Sequence, residues 1–204
     1  MSDQIYNQHL KNVEPQLAPP GAGLPWFQLL FLKYYVGPFV SVRTTRDESQ
    51  RRFKKVSQNI LKLINGLSDH QLNQKVLIPK QMGLEDSSRY WSVAMTLEHI
   101  VIVGRAMCSV IAQLDKGIVP QVVADTAKVK PLGLMSSRES VELFKKFINE
   151  EYGTMEQNFK NFEAETRFHH PWFGQIKARQ WYWLITIHTG LHLNQIKKIL
   201  ELSR

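Results

Sequence analysis

Hydrophobic residues recur at intervals of three and four through four long segments of the chain, with polar or turn-forming residues between them. In the first segment Phe53, Val56, Ile60, Leu63 and Leu67 form the stripe by which a helix starting near position 48 faces a core, and Gly66 with the following LSDHQ ends it. The second is predicted from Val93 to Leu114, with Ser92 placed to accept a hydrogen bond from an early backbone amide. Its inward stripe reads Met95, Thr96, His99, Ile102, Val103, Ala106, Met107, Val110. The third is predicted from Ser137 to about Phe162, after Gly133, with a near-heptad stripe of Val141, Phe144, Ile148, Met155, Phe159 and Phe162. The fourth runs from Ala178 to about Leu202 and turns Trp181, Leu184, Ile185, His188, Leu191, His192, Gln195 and Ile199 to one side.

Outside these segments the pattern is weaker. HHPWFG (169–174) reads as a turn-rich link around Pro171 and Gly174, and 76–79 and 121–125 could be short extended pieces. The fold class is therefore all-α. Residues 1–23 contain PPGAG and read as a loosely ordered arm. Residues 24–42 are strongly apolar, but Lys33, Gly37 and Pro38 interrupt a run that barely reaches the ~20 residues of a membrane span. The expectation is an extra helix packed on the bundle or at a dimer contact, with membrane-surface contact unfavoured. Exposure of Trp26, Phe27, Leu30 and Phe31 in one patch would revive the membrane-surface reading.

Composition adds limits. A chain of 204 residues, 43% hydrophobic and 22% charged, suits one globular domain with an ordinary core. The single cysteine, Cys108, excludes an internal disulfide framework and suits a reducing compartment. The polar start lacks the basic and apolar regions of a secretory signal, so a cytoplasmic location is expected. The net charge of +8 and pI near 9.6 attract phosphates or anionic lipids without specificity. The run Arg43, Arg46, Arg51, Arg52, Lys54 and Lys55 reads as a solvated helix face, and no nucleic-acid-binding motif accompanies it. Specific nucleic-acid binding is not expected.

The candidate chemistry lies in three histidines that interrupt apolar stripes. His188 and His192 are one turn apart on one helix face, and His99 breaks the stripe of the second helix in the same way. Each alone could be a core imidazole bonded to a backbone carbonyl or a tyrosine. Burying three on converging faces is costly unless they share a partner, and one divalent metal ion would satisfy all three. Three protein ligands would leave coordination positions open, which suits a reactive site. Gln195, three residues beyond His192, could orient a ligand or a metal-bound water. Glu98 points about 100° away from His99 and is expected in a surface or inter-helix ion pair. Cys108 reads as core, His169 and His170 as surface or lip residues, and His9 and His70 carry no pattern. No residue stands out as a catalytic acid or base.

WSVAMTLEHIV (91–101), HPWFGQIKARQW (170–181) and HTGLHLNQI (188–196) together resemble the DinB/YfiT-like family of metalloenzymes, in its order and spacing. The resemblance implies an up-and-down four-helix bundle over 47–204 with an N-terminal extension, 1–46. It also implies a divalent ion, zinc or nickel, on His99, His188 and His192, and frequent homodimers. Some relatives are transferases or isomerases using a small thiol cosubstrate. The leading expectation is accordingly a thiol-dependent transferase acting on a small-molecule substrate, in which the metal activates a thiol or water. Metal-assisted hydrolysis and a non-catalytic, stress-related dimeric metal-binding scaffold are the alternatives. The extension and the long loop 68–90 depart from the family pattern and leave the substrate open.

Overall fold

A computed structural model describes residues 14–203, so most of the expected N-terminal arm, with His9, lies outside the described residues. The chain enters the fold through α1 (Trp26–Phe31), a π-helical stretch (Leu32–Val40) and the single turn α2 (Ser41–Arg43). Pro38 has no N–H for an α-helical ladder, so wider turns carry the helix past it. One face of this extension packs on the core through Leu32 and Val36, and Gln180 donates to the Gly37 carbonyl and the Ser41 hydroxyl, both at 3.0 Å. Trp26, Phe27, Leu30 and Phe31 remain exposed.

Four long helical units follow. In α3 (Arg46–Ile64) Thr45 caps the start by accepting from the Glu48 amide, and Phe53, Ile60 and Ile64 are buried while Arg51, Arg52, Lys54 and Lys55 face water. After α4 (Asp69–Asn73) and two short antiparallel strands, β1 (Val76–Leu77) and β2 (Tyr90–Trp91), Ser92 caps α5 (Val93–Asp115) as its sequence predicts. α5 is, among the described residues, the one helix long and apolar enough to cross a membrane, and 67% of its most apolar window is buried within the fold.

The third unit starts at Ser137 as expected, with Ser136 as its cap. The Ser136 hydroxyl accepts from the Glu139 amide, and the Glu139 carboxylate accepts from the Ser136 amide, a reciprocal box that opens α6 (Ser137–Lys146). A π-turn (Phe147–Glu151) leads into α7 (Tyr152–Asn158), so the helix ends short of the expected Phe162. The expected link at 169–174 is instead the centre of a hairpin, β3 (Arg167–His170) on β4 (Gly174–Lys177), with Phe168 opposite Ile176 and both buried. Residues 121–125 form no strand. The fourth unit is α8 (Ala178–Leu202), whose inward side runs through Trp181, Tyr182, Ile185, His192, Ile196 and Ile199.

The four-helix bundle is present, and its chain directions follow from side-chain pairs. Gly104 of α5 faces Phe147, Arg105 pairs with Glu151, and Asp115 accepts from the amides of Lys160 and Asn161, so the second and third units run side by side in the same direction. Thr186 of α8 donates to the Ser49 carbonyl and Tyr182 lies near Arg46, so α8 runs parallel to α3. The order is up, down, down, up rather than strict alternation. The long 116–136 connection makes this possible by crossing the bundle between two parallel units. It also delivers Val129 and Lys130 to the face where α5 meets α8.

Candidate metal centre

The buried sides of α5 and α8 bring His99, His188 and His192 together. His99 and His192 are buried and His188 is half-buried. The Nε2 atom of His188 lies 3.2 Å from that of His99 and 3.1 Å from that of His192. All three donor atoms lie within 4.8 Å of one another.

Hydrogen bonds on the far side of two rings fix which nitrogen faces inward. His99 Nδ1 is 2.7 Å from the Val129 carbonyl oxygen, and His192 Nδ1 is 2.6 Å from Gln195 Oε1. Both partners only accept, so each Nδ1 carries its proton and each neutral ring presents a bare Nε2 to the centre. Gln195 is itself held, because its amide nitrogen donates to the Ser88 carbonyl at 2.7 Å. Gln195 therefore bonds the His192 ring on the side away from the other two histidines.

Three inward nitrogens therefore contain at least two acceptors, and the third ring can supply at most one proton. Burial depresses the affinity of His99 and His188 for protons well below the ordinary histidine value, aided by the neighbouring imidazoles, and holds His192 down to about 4. Protonation does not fill the deficit near neutrality. A cation would, and the spacing fits one, since nitrogens about 2.0–2.1 Å from a tetrahedral zinc stand about 3.3 Å apart.

Around the triad lies a polar girdle that the periodicity could not reveal, because its members sit in loops, a single 3-10 turn (Asp86–Ser88) or a short strand. Glu85 and Lys130, far apart in sequence, form a 2.6 Å ion pair with both side chains largely buried. The Thr126 hydroxyl donates to Glu85 at 3.0 Å, and the Lys130 ammonium donates to the Ser88 hydroxyl at 2.8 Å while lying over the Trp91 ring. Burial alone would raise the Glu85 pKa; hydrogen bonding and charge from Lys130, with the Thr126 bond, override it and hold the carboxyl below its usual value. For Lys130 burial prevails over Glu85 and lowers the pKa. Trp91 packs against His99 and His192, with ring centroids 5.0 and 6.2 Å away.

The triad and girdle line a cavity of about 370 Å³ whose walls include Val103, Met107, Val110, Leu191, Phe168 and Trp181. Three placements differ from expectation. His170 is not at the surface: it is buried among Trp172, Phe173 and Trp181, lines the same cavity, and accepts from the Trp172 amide at 3.1 Å. The alternation of β3, which leaves Arg167 and His169 exposed and buries Phe168 and His170, was the available signal. Among the described residues Glu98 has neither a surface nor an inter-helix ion pair; it is buried and accepts from the Leu132 amide at 3.3 Å, helping to anchor the crossing loop. Cys108 is half-buried, packs against the core as expected and has its thiol pKa pushed up to about 12, chiefly by burial.

A four-helix bundle with a histidine cluster at one end of an apolar cavity defines a class of protein in which helices frame a site able to hold one metal ion. The chain belongs to the DinB superfamily, whose family model matches residues 44–196. Among solved structures it is similar to TT2238, described as a four-helix bundle protein, with 18% identity and a TM-score of 0.53 over 75% of this chain and 98% of that one. That likeness supports the fold alone. A comparison with curated proteins finds no match.

Proposed function

We propose that His99, His188 and His192 hold one divalent ion, zinc or nickel, and that the protein is a metal-dependent enzyme of the thiol-transferase type. The observation that carries this reading is the surplus of bare Nε2 atoms converging at 3.1–3.2 Å beside an open cavity. Bound there, such an ion supplies Lewis acidity that makes a thiol or a water nucleophilic at neutral pH. The chain's own groups do the rest. Val129 and Gln195 lock two imidazoles in the ligating tautomer. The apolar walls take the body of a small electrophilic substrate and exclude water. Lys130, held by Glu85 and Ser88, places a positive charge at the edge of the site where negative charge can develop on a substrate.

The cavity favours an enzyme over a closed scaffold, because three protein ligands facing an accessible space leave room for a substrate. Elemental analysis of purified protein is expected to give one metal per chain, and the His188→Ala variant should lose it. Full retention by that variant would remove the assignment. Metal-loaded protein would then be assayed with small thiols and electrophiles. Turnover of ester or amide substrates without a thiol would point to the hydrolase, and turnover of neither to the scaffold.

A further inference from the structure

The helix that precedes the bundle carries an aromatic stripe on its outer side. Trp26 is 73% exposed, Phe27 55%, Leu30 47%, Phe31 47%, Tyr34 62% and Tyr35 55%. Their spacing repeats every four residues in adjacent pairs, so one continuous strip winds along the helix. Phe31 and Tyr35 stack with centroids 5.3 Å apart, and Trp26 meets Phe27 edge-on at 6.2 Å. The strip is held outward by contacts on the opposite side: Gln28 accepts from the Gly83 amide at 3.0 Å, Leu32 and Val36 enter the core, and Gln180 grips Gly37 and Ser41.

A patch of this size on a clamped helix needs an occupant, and the charges around it select one. No aspartate or glutamate occurs from position 15 to 46, whereas Lys33 sits within the strip and Arg43 beyond it. Arg167 of the β3–β4 hairpin, exposed like Arg43, shares a shallow groove with Lys33. In a two-fold contact with a second copy the strip would meet itself, bringing both Lys33 side chains into one aromatic interface with no acid in this segment to pair them. A bilayer containing acidic lipids offers the opposite match, an apolar boundary for Phe and Leu, a headgroup layer in which Trp and Tyr settle, and negative charge for the cations.

We propose that Trp26, Phe27, Leu30, Phe31, Tyr34 and Tyr35, with Lys33, form a peripheral docking surface for anionic membranes, the bundle lying on the bilayer without spanning it. This does not depend on the metal reading, since no ligand of the triad takes part. The test is flotation of the full chain with phosphatidylcholine vesicles with and without phosphatidylserine, beside sedimentation velocity without lipid. The parent is expected to float with the anionic vesicles. A variant combining Trp26→Ser, Phe31→Ser and Tyr34→Ser should lose at least about tenfold in partition with an unchanged circular dichroism spectrum. Lys33→Gln, which removes no apolar surface, should lose about fivefold, on anionic vesicles only. Absence of flotation by the parent, equal flotation with both vesicle types, or equal partition by parent and triple variant would each overturn the proposal. A parent dimer that the triple variant splits, with no flotation by either, would assign the strip to a second copy.

Discussion

Two polar clusters on α8, one turn and a half apart, bury comparable chemistry in opposite ways. At Tyr182 the hydroxyl donates to the Glu156 carboxylate, which also receives Arg46 Nε at 2.7 Å, while Arg46 donates again to the Glu156 carbonyl at 2.5 Å. Among Tyr182, Glu156 and Arg46 these donors meet acceptors and charge meets charge, and the aromatic rings of Phe159 and Phe162 close over the group. At His188 the balance fails: bare acceptors face one another with too few protons to share. A cluster that is complete within the chain serves the fold, and one that is incomplete in a single chemical sense indicates what would complete it.

The largest effect should come from breaking the complete cluster. Glu156→Ala leaves the Tyr182 hydroxyl and the Arg46 guanidinium without their acceptor. It should cost about 2–3 kcal/mol in urea unfolding once Arg46, its side chain 33% exposed, is allowed to turn to water. His188→Ala removes a ring that can place at most one proton between the two bare Nε2 atoms of His99 and His192, so the metal-free protein should change by no more than about 1 kcal/mol. The variant should nevertheless fail to gain the stability that added metal is expected to give the parent. Equal costs for the two variants in metal-free protein would break the comparison and make the triad structural.

A second effect sharpens the incomplete cluster. Gln195 ties His192 Nδ1 to the Ser88 carbonyl, so Gln195→Ala should free the ring to turn and weaken metal affinity about 10–100-fold, read by competition with a chelator. Unchanged affinity would leave Gln195 only a packing role.

A third separates His170 from both clusters. Burial, with a smaller contribution from His169, lowers its pKa to about 3, against about 6.5 in an unfolded chain. The unfolded state therefore binds the extra proton first. Stability due to the neutral ring is complete above about pH 6.5 and falls as pH drops toward the folded value, by about 1.4 kcal/mol per pH unit within that window. In metal-free protein His170→Gln should flatten the slope between about pH 6 and 4 by that amount. A variant slope equal to the parent's would show that the ring is solvated at the acid end.

The bundle was legible in the sequence because its information is periodic. Phe53, Ile60, Val103, Phe144 and Ile199 each fall on a stripe that becomes core, and the histidines were visible as polar interruptions of it. What escaped was carried by loops and by short alternation. Glu85 and Lys130 meet only because the crossing segment folds back over α5, and no local pattern encodes a pairing between residues 45 positions apart. The hairpin holding His170 is four residues per strand with a histidine in a buried slot, too short and too polar to read as a strand. The relative directions of the second and third units were not legible either, since stripes report a face and not a heading.

The smallest prediction tests how complete the Tyr182 cluster is in volume as well as in hydrogen bonds. Beside Glu156 and Tyr152 lies a groove of about 450 Å³ between α3 and α7, reaching Gln50, Ser57 and Gly153. Gly104 shows what a filled position looks like, because an added Cβ there would stand 2.3 Å from the Phe147 ring. At Gly153 nothing lies within 4 Å of an added Cβ and the backbone is helical, so the methyl group meets open space and the chain loses only unfolded freedom. Gly153→Ala should raise stability by about 0.5–1 kcal/mol in urea unfolding, with the metal content unchanged. A loss of stability would mean that the groove is closed by something the hydrogen-bond pattern does not reveal, and that the fold-serving cluster has an occupant of its own.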